Sequence, residues 1–591
     1  MLMTKRLGSL VLSLFLLHLY PCMAQDISNA SYPFDPASQQ HPGVPKGEVL
    51  QFTFDHSSIY PGTRRKYWIY VPAQYKPEQP ACLFVCMDGI QFNATTVFDN
   101  LIHDKEMPVT IGVFIESGVV MKDDTTVLRY NRSNEFDDMS DRFDRFLLDE
   151  LLPDVESRKT SDGRPIRLSG KANDRAIAGA SSGAICAFTA AWLRPDAFSR
   201  VFSAIGTYVG MRGGDAYPVL IRKTEPKPIR IFLQDGAKDS WNPLFGNWYL
   251  NNQSMEAALS FAGYEVNHAW GQGGHDGVQA TAIFPDVMRW LWKGWPSPVK
   301  AGLSGNDFLK KILIPGETWT SVATDARAAT CLAAAPGGDI FFSDSLHHEI
   351  YKISSGGKTN LFAPINGRGV SLACDPDGAL YVLDDGKEMV RYDVKGKGAV
   401  LQKKLQASSL LVSGNHNVYI TGRDQRYNDD GRLWLIRRDG TKTLVDENLD
   451  HPEALALSSD QSALFVAEKY SHWIESYIVQ PDGTLRFRQR WCWLHAPENS
   501  SGKMGTLSMC VDDQGNLYVA TGMGIQVCDQ NGRVRAILPL PGGPVSGLCF
   551  GGEHFDTLFA ICGGQIFRRR LNVHGVPAWG RPAHPASIGA G

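Results

Sequence analysis

The 591-residue chain contains no long block of like charge, no Cys-x-x-Cys pair and no clustered His/Cys ligand spacing. Beyond its first two dozen residues it also has no apolar run of bilayer length. Each absence removes a class of function. The 59 basic and 62 acidic side chains are interspersed and leave a formal net charge of −3, so there is no basic footprint for nucleic acid or an anionic membrane. Without paired cysteines or ligand spacing a structural zinc site is not expected. The one apolar stretch, Leu7 to Tyr20, is shorter than the roughly 20 residues that cross a bilayer. It follows Lys5 and Arg6 and precedes a small residue, Ala24, which is the form of an export signal; cleavage is predicted after Ala24. Cys22 sits behind Tyr20-Pro21, a poor lipoprotein context, so the mature protein is expected to be exported and unanchored. Of the 11 cysteines, Cys82, Cys86, Cys186, Cys374, Cys510, Cys528, Cys549 and Cys562 lie in or beside apolar runs and read as mostly buried free thiols.

What is present divides into two rhythms. From about Pro45 to Trp295 strand-like runs, such as Cys82-Leu83-Phe84-Val85-Cys86 and Ile229-Arg230-Ile231-Phe232-Leu233, alternate with helix-like ones, including an amphipathic stretch from Asp141 to Val155. Such alternation means a mostly parallel sheet covered by helices. Gly294-Trp295-Pro296-Ser297-Pro298 breaks the pattern and reads as a linker. Beyond it a polar turn followed by a short aromatic strand recurs, with Phe341, Tyr381, Tyr419, Phe465, Tyr518 and Phe559 as its aromatic residues. Helix-free repeats of roughly 40 to 50 residues are the mark of a propeller, whose blades bury their faces only against one another. The predicted architecture is an α/β-hydrolase domain over residues 45–295, behind a signal at 1–24, followed by an all-β six-bladed propeller over 307–575.

Chemistry concentrates in the first half. Gly179-Ala180-Ser181-Ser182-Gly183 lies between a strand-like run, Arg175 to Ala178, and a helix-like run, Ala184 to Phe188, which is the context of a nucleophile elbow. A protonated serine hydroxyl is a poor nucleophile and needs a base within reach. Four histidines lie between Pro45 and the linker: His56, His103, His268 and His275. His268 falls within a strand, whereas His275 sits in the glycine-rich loop Gly271 to Gly277 after the last strand, where an imidazole reaches over the serine. The acid comes from Asp235-Gly236-Ala237-Lys238-Asp239. Asp239 is favoured because Asp235-Gly236 reads as a turn in which the aspartate bonds its own backbone; Asp235 stays open as the alternative. The chain order Ser181, Asp239, His275 is that of the hydrolase plan. An oxyanion requires backbone donors. The amide of Ser182 is one, and Gly89 or Ile90, with Ile90 preferred, supplies the other from Met87-Asp88-Gly89-Ile90. Trp241, Trp248 and Trp270 lie near the acid and histidine loops and form a candidate aromatic wall for a sugar or phenolic ring; ordinary packing is the competing reading.

Several segments together resemble the esterase-D-like α/β-hydrolases, a group that includes feruloyl and enterochelin esterases. They are Tyr67-Trp68-Ile69-Tyr70-Val71-Pro72, Met87-Asp88-Gly89, Arg132-Ser133-Asn134-Glu135-Phe136, Glu150-Leu151-Leu152-Pro153, Gly179 to Gly183, Gly236 to Asp239 and Gly274-His275. The resemblance implies that Ser181 attacks, that His275 is base and then acid, and that Asp239 orients it. Residues from about Asp307 to Gly575 resemble the gluconolactonase and regucalcin propellers through Pro452 to Ser458, Asp512 to Val519 and Cys549-Phe550-Gly551-Gly552. That family holds a divalent cation with a glutamate, an asparagine and an aspartate. Here the corresponding positions are Thr330, Glu453 and Leu507, and a substrate-contacting Asn-Asp pair is replaced by Ser408-Ser409. One carboxylate and a threonine are too few for a hard cation, so no metal and no cofactor is expected.

The resulting expectation is an exported serine esterase that acts on acyl or aryl decorations of a carbohydrate, with a carbohydrate or phenolic ester as substrate and no nucleic-acid or membrane-spanning role. A siderophore esterase, a metal-dependent lactonase and a carbohydrate-binding protein are the alternatives. Neither the ester nor the oligomeric state is legible.

Overall fold

The computed structural model describes residues 32–322, 328–384, 388–424, 429–496 and 505–587; the predicted export signal, residues 1–24, lies outside them. The first half is built on a mixed eight-stranded sheet. Its strands are β1 (Glu48–Phe54), β2 (Arg65–Val71), β3 (Cys82–Met87), β4 (Thr110–Ile115), β5 (Arg175–Ala180), β6 (Arg200–Ala204), β7 (Arg230–Gly236) and β8 (Glu265–Gly271). They lie in the order β1-β2-β4-β3-β5-β6-β7-β8. The β1/β2 and β2/β4 pairs are antiparallel and all later pairs parallel. β3, β4 and β7 are buried along their whole length, because parallel strands here carry helices on both faces and read as continuous apolar runs.

Helices α1 (Ala94–His103), α2 (Ser182–Leu193), α3 (Tyr217–Lys223), α4 (Trp248–Phe261) and α5 (Val278–Trp292) cover the sheet. α1 and α5 pack on one face, and α2, α3 and α4 on the other. The amphipathic stretch from Asp141 to Val155 is helical but passes through a π turn over Phe146–Leu151. Pro153 follows that turn and has no N–H to continue the regular ladder. The carboxyl end of α5 is capped by two buried arginines: Arg200 Nε donates to Leu291 O at 2.8 Å, and Arg230 Nη1 donates to Leu291 O and Lys293 O, each at 2.9 Å. Cations at this end complement the helix dipole and satisfy its last carbonyls.

The chain leaves α5 through Gly294 to Pro298, which is held to the first domain by Asn173 Nδ2 on Pro296 O (2.9 Å) and by Trp295 Nε1 on Asp174 Oδ1 (3.0 Å). Helix α6 (Asp307–Ile312) follows. Six four-stranded antiparallel sheets then form the propeller. Its innermost strands are Ala329–Ala334, Gly369–Cys374, Ala407–Val412, Pro452–Leu457, Met509–Val511 and Val545–Gly551. The recurring aromatic residues Phe341, Tyr381, Tyr419, Phe465, Tyr518 and Phe559 all lie on the second strand of their blade and are buried. The last blade takes its outermost strand, Thr320–Ser321, from the front of the repeat, where Thr320 pairs with Arg568 and Ser321 with Phe567. That exchange joins the two ends of the ring. One mouth of the central channel is crossed by the carboxyl-terminal segment, with Val576 N on Val511 O (3.0 Å) and Trp579 Nε1 on Ala334 O (3.2 Å). The cavity between this segment and the innermost strands measures about 140 Å³.

The two domains meet along α3. Arg569 makes a bidentate pair with Glu225 at 2.7 and 2.8 Å, and Glu225 N donates to Ile537 O at 3.0 Å. Asn306 Nδ2 donates to Arg222 O and Arg535 O, one carbonyl in each domain, while its Oδ1 caps α6. Lys223 Nζ lies 3.0 Å from His495 Nε2. Burial, then the charges of Lys223 and His472, hold the His495 imidazole down to about 4, so it is a neutral acceptor for the ammonium.

Cys82, Cys86, Cys186, Cys374, Cys549 and Cys562 are buried thiols, and Cys331 and Cys510 are partly buried. Cys528 departs from expectation: it is in a disulfide with Cys492. The two lie 36 residues apart on strands of adjacent blades, so only the packing of one blade on the next brings them together.

A buried ion pair fixes the motif Arg132 to Phe136. Arg65 Nη1 and Nη2 reach the two carboxylate oxygens of Glu135 at 2.6 and 3.1 Å, and both side chains are fully buried. Glu135 also accepts from Gly118 N and Asn131 Nδ2, each at 3.1 Å. Glu135→Ala leaves the guanidinium buried and unpaired, and is expected to destabilise the first domain by about 3–5 kcal/mol, whereas the double replacement Arg65→Met/Glu135→Leu recovers most of it. Urea midpoints of the three proteins check this.

Candidate active site

Ser181 stands at the turn between β5 and α2 with φ 58° and ψ −121°, a left-handed conformation for a residue with a side chain. The glycines around it are required by close approach. A Cβ at Gly179 would run into the Gly183 carbonyl, and one at Gly183 would sit 3.0 Å from Met87 Cβ and 3.2 Å from Asp88 Oδ2. The turn is held by Ser181 N on Ala204 O (3.0 Å) and by the amides of Ala184 and Thr207 on Ser181 O (3.0 and 3.3 Å).

His275 and Asp239 come from two loops stitched by their backbones. Ala237 N donates to Gly271 O at 2.9 Å and Lys238 N to Gly273 O at 3.0 Å. A Cβ on Gly236 would meet the Gly273 backbone, which is why Asp235 is followed by glycine. The Tyr32 hydroxyl accepts from Gln272 N (2.8 Å) and Gly273 N (3.1 Å) and braces the histidine loop from the amino-terminal segment. In this frame His275 Nε2 is 2.9 Å from Ser181 Oγ, and His275 Nδ1 is 2.6 Å from Asp239 Oδ1. A carboxylate on Nδ1 places the ring proton there and leaves the Nε2 lone pair facing the serine hydroxyl. The Asp239 side chain is fully buried, and the backbone N–H of Ser240 also donates to its Oδ1. Burial works against its ionised form, but hydrogen bonds from His275 and Asp235 hold its carboxyl below the usual range.

Asp235 is not the residue that meets His275. Its Oδ1 accepts from Gly236 N at 2.6 Å, the local turn read from the sequence, and its Oδ2 accepts from Asn252 Nδ2 at 2.8 Å. Of the two loop amides considered for the oxyanion, Gly89 N already donates to Ile115 O at 3.2 Å. Among the described residues no partner takes the N–H of Ile90 or of Ser182. Asp88 and Gly89, with φ of 62° and 79°, turn the chain so that Ile90 follows β3 at the elbow.

The three tryptophans separate. Trp248 is buried; its ring lies edge-on to His275 at 5.9 Å and its Nε1 donates to Thr207 Oγ1 at 3.3 Å. Trp241 is 69% exposed on a two-stranded ribbon that follows Asp239 directly. Trp270 is on β8, where its ring partners are His268 at 4.7 Å and Tyr249 at 5.9 Å, and neither Ser181 nor His275 is among them.

Two neighbours of the serine carry no role that the sequence alone assigns. Thr207 Oγ1 is 3.2 Å from Ser181 Oγ, and its only signal is its place just after β6. Arg132 Nε and Nη2 clamp Asp88 Oδ1 and Oδ2, both at 2.8 Å, and Nη2 reaches Ala180 O at 3.4 Å. Hydrogen bonding to Asp88 raises the Arg132 guanidinium above its ordinary range. The clamp ties the loop before Ile90 to the strand end before Ser181, so it sets the spacing of the Ile90 segment from the serine.

At the propeller mouth the side chains do not fit a divalent cation. Glu453 Oε1 is 3.0 Å from Lys469 Nζ, Thr330 Oγ1 is engaged with Ser343 Oγ (2.8 Å) and Gly369 O (3.0 Å), and the Leu507 side chain offers no donor. Ser408 Oγ is bonded to Thr421 Oγ1 and Pro452 O. Asp375, Asp377 and His416 form the one acidic cluster of ligand type among the described residues, and Asp375 Oδ2 is occupied by Arg391 Nη2 at 2.9 Å.

Comparison with known proteins follows the same division. Residues 58–290 match the family model described as "Putative esterase", and residues 328–562 match the SMP-30/Gluconolactonase/LRE-like region. The gluconolactonase of Zymomonas mobilis subsp. mobilis is 27% identical over 225 residues, which are 34% of this chain and 62% of that protein. The chain thus spans less than two thirds of that relative. Among solved structures, a ferulic acid esterase aligns at 17% identity over 42% of this chain and 99% of its own, with a TM-score of 0.32. The enterobactin esterase of Shigella flexneri aligns at 23% identity over 44% of this chain and 63% of its own, with a TM-score of 0.33.

Calcium or manganese, and then a chelator, are expected to leave the melting temperature unchanged in scanning calorimetry. A rise that grows with cation concentration would mean that the propeller mouth holds a metal after all.

Proposed function

With an esterase-family domain joined to a gluconolactonase-like propeller as the premise, we propose that this protein is an exported serine esterase. It hydrolyses carboxylic esters, namely acyl or feruloyl decorations of a carbohydrate, and its propeller takes no part in the chemistry. The observation that carries this reading is the line Ser181 Oγ, His275 Nε2, His275 Nδ1, Asp239 Oδ1, with separations of 2.9 and 2.6 Å across the imidazole.

In the mechanism, Ser181 Oγ attacks the ester carbonyl as its proton passes to His275 Nε2. The negative charge that develops on the carbonyl oxygen is met by the amides of Ile90 and Ser182. The imidazolium, stabilised by buried Asp239, then gives its proton to the leaving alkoxide. Water enters, loses a proton to the same nitrogen and cleaves the acyl-enzyme, returning Ser181 to its starting form. Support for an aromatic or sugar substituent on the substrate comes from Trp241, whose exposed ring directly follows the acid loop. Trp248 serves instead as the wall that limits the tilt of His275.

Ser181→Ala is expected to lower kcat on a simple aryl ester by a factor on the order of 10⁴–10⁶, and retained turnover would reject the nucleophile. The substrate class is tested with methyl ferulate, an acetylated xylo-oligosaccharide, a glucuronate ester, an enterobactin-type ester and gluconolactone. Serine-dependent, chelator-insensitive cleavage of one of the first three is the expected result. Preference for the enterobactin-type ester would make the protein a siderophore esterase, and chelator-sensitive lactone cleavage that survives Ser181→Ala would move the activity to the propeller.

A further inference from the structure

The acid of the candidate triad has a second carboxyl group against it. Asp235 is fully buried, and a hydrogen bond between its carboxyl and that of Asp239 is among the causes that raise the first and lower the second. Two ionised carboxylates in contact and out of water repel strongly, so one of them keeps a proton. Asp239 has the imidazole N–H of His275 and the amide of Ser240 on Oδ1, both of which favour its charge. Its Oδ2 is buried and, among the described residues, no N–H or hydroxyl donates to it.

The surroundings of Asp235 decide where its proton points. Asn252 Nδ2 faces three acceptors, Gly206 O at 2.8 Å, Trp248 O at 3.0 Å and Asp235 Oδ2 at 2.8 Å, so that amide is a donor and cannot receive a proton from Asp235. Gly236 N is likewise a donor. On the flanking strand Trp270 stands opposite. Among the described groups that act on the Asp235 carboxyl, Asp239 is the one that titrates, and its carboxylate can accept the proton. Burial first, and then the neighbouring Asp239, push the Asp235 carboxyl up to about 9.

We propose that Asp235 is a positioning residue of this site: in its neutral, protonated form it donates a hydrogen bond to Asp239 and so locks the carboxylate that orients His275. The proton stays on Asp235 through the cycle, and the single negative charge stays on Asp239 to face the imidazolium. This rests on the serine esterase reading. Because Asn252 also holds Gly206 O, one residue before Thr207, the same buried cluster ties the acid loop to the segment beside Ser181 Oγ.

The test uses the full chain, a simple aryl ester, and the variants Asp235→Asn, which keeps a donor and cannot ionise, and Asp235→Leu, which has none. In the wild type kcat is expected to fall as pH rises through about 9, whereas Asp235→Asn keeps its plateau there. Asp235→Leu is expected to lose about 10- to 100-fold in kcat at neutral pH, as misplacement of a catalytic group does, with KM little changed. Stability gives a readout independent of activity. The folded value lies above the ordinary 3.8, so the contribution of Asp235 is complete below that value and is lost as pH rises through about 9. The melting temperature of Asp235→Asn should therefore decline less over that range than that of the wild type. An alkaline limb and a melting profile in Asp235→Asn identical to those of the wild type would overturn the proposal, even if Asp235→Leu fails to fold. Turnover surviving Ser181→Ala would instead overturn the esterase reading itself, so the two failures are distinct.

Discussion

The left-handed backbone at Ser181 is the constraint to which the rest of the first domain conforms. A side chain held at φ 58° costs on the order of 1–3 kcal/mol and persists only where the surroundings over-determine it. Here they do so from three sides. The strand before and the helix after touch through Gly179 and Gly183, Ala204 O takes the serine amide, and the amides of Ala184 and Thr207 take its carbonyl. The reward is a hydroxyl presented clear of the sheet, within 2.9 Å of an imidazole that arrives from the far end of the domain.

Around that point positional order is passed outward through charged pairs and not only through apolar packing. Arg65 and Glu135, paired out of water, fix the short helix Arg132–Phe136. Arg132 then grips Asp88, and Asp88 leads through Gly89 to Ile90, whose amide has no partner among the described residues. On the other side, the segment after β6 carries Thr207 beside the serine hydroxyl and runs on into α3, against which the propeller docks through Glu225, Lys223 and Arg222. The wall of the candidate site and the domain interface are two ends of one stretch of chain. A rigid propeller docked at one end thus restrains the other.

Much of this is legible in the sequence, and what is not has identifiable reasons. The elbow reads clearly because it is local: small residues flank a serine where a strand gives way to a helix. The spacing of Asp235, Asp239 and His275 after successive strands also reads, because a parallel sheet returns every strand end to the same edge. The aromatic strand of each blade reads because it repeats. The partners of Arg132, Thr207 and Asn252 do not, since each contact crosses between distant segments and leaves no periodicity. The same holds for the Cys492–Cys528 disulfide, whose cysteines lie in apolar runs of two different blades, and for Thr320–Ser321, two residues that join a blade more than two hundred positions later. Trp270 is near Trp241 and Trp248 along the chain, but in the fold it packs with its strand neighbour His268 and with Tyr249 of α4.

The propeller has a gluconolactonase-like ring, but the side chains at its mouth do not form a cage for a cation. A divalent cation in such a ring acts because it has vacant coordination positions through which it polarises a carbonyl and activates water. Lys469 supplies charge without that capacity: its ammonium neutralises Glu453 at 3.0 Å, but its donors are hydrogens and nothing can coordinate to it. Thr330 and Ser408, turned to neighbouring hydroxyl and carbonyl oxygens, complete a mouth satisfied from within. A ring of this kind has no need of an ion to stay folded, because its blades bury one another and its last blade is completed by the strand that precedes the first. The result is a body plugged at one end by the Val576 to Trp579 segment and docked at its side on α3, next to the stretch of chain that carries Thr207 beside Ser181.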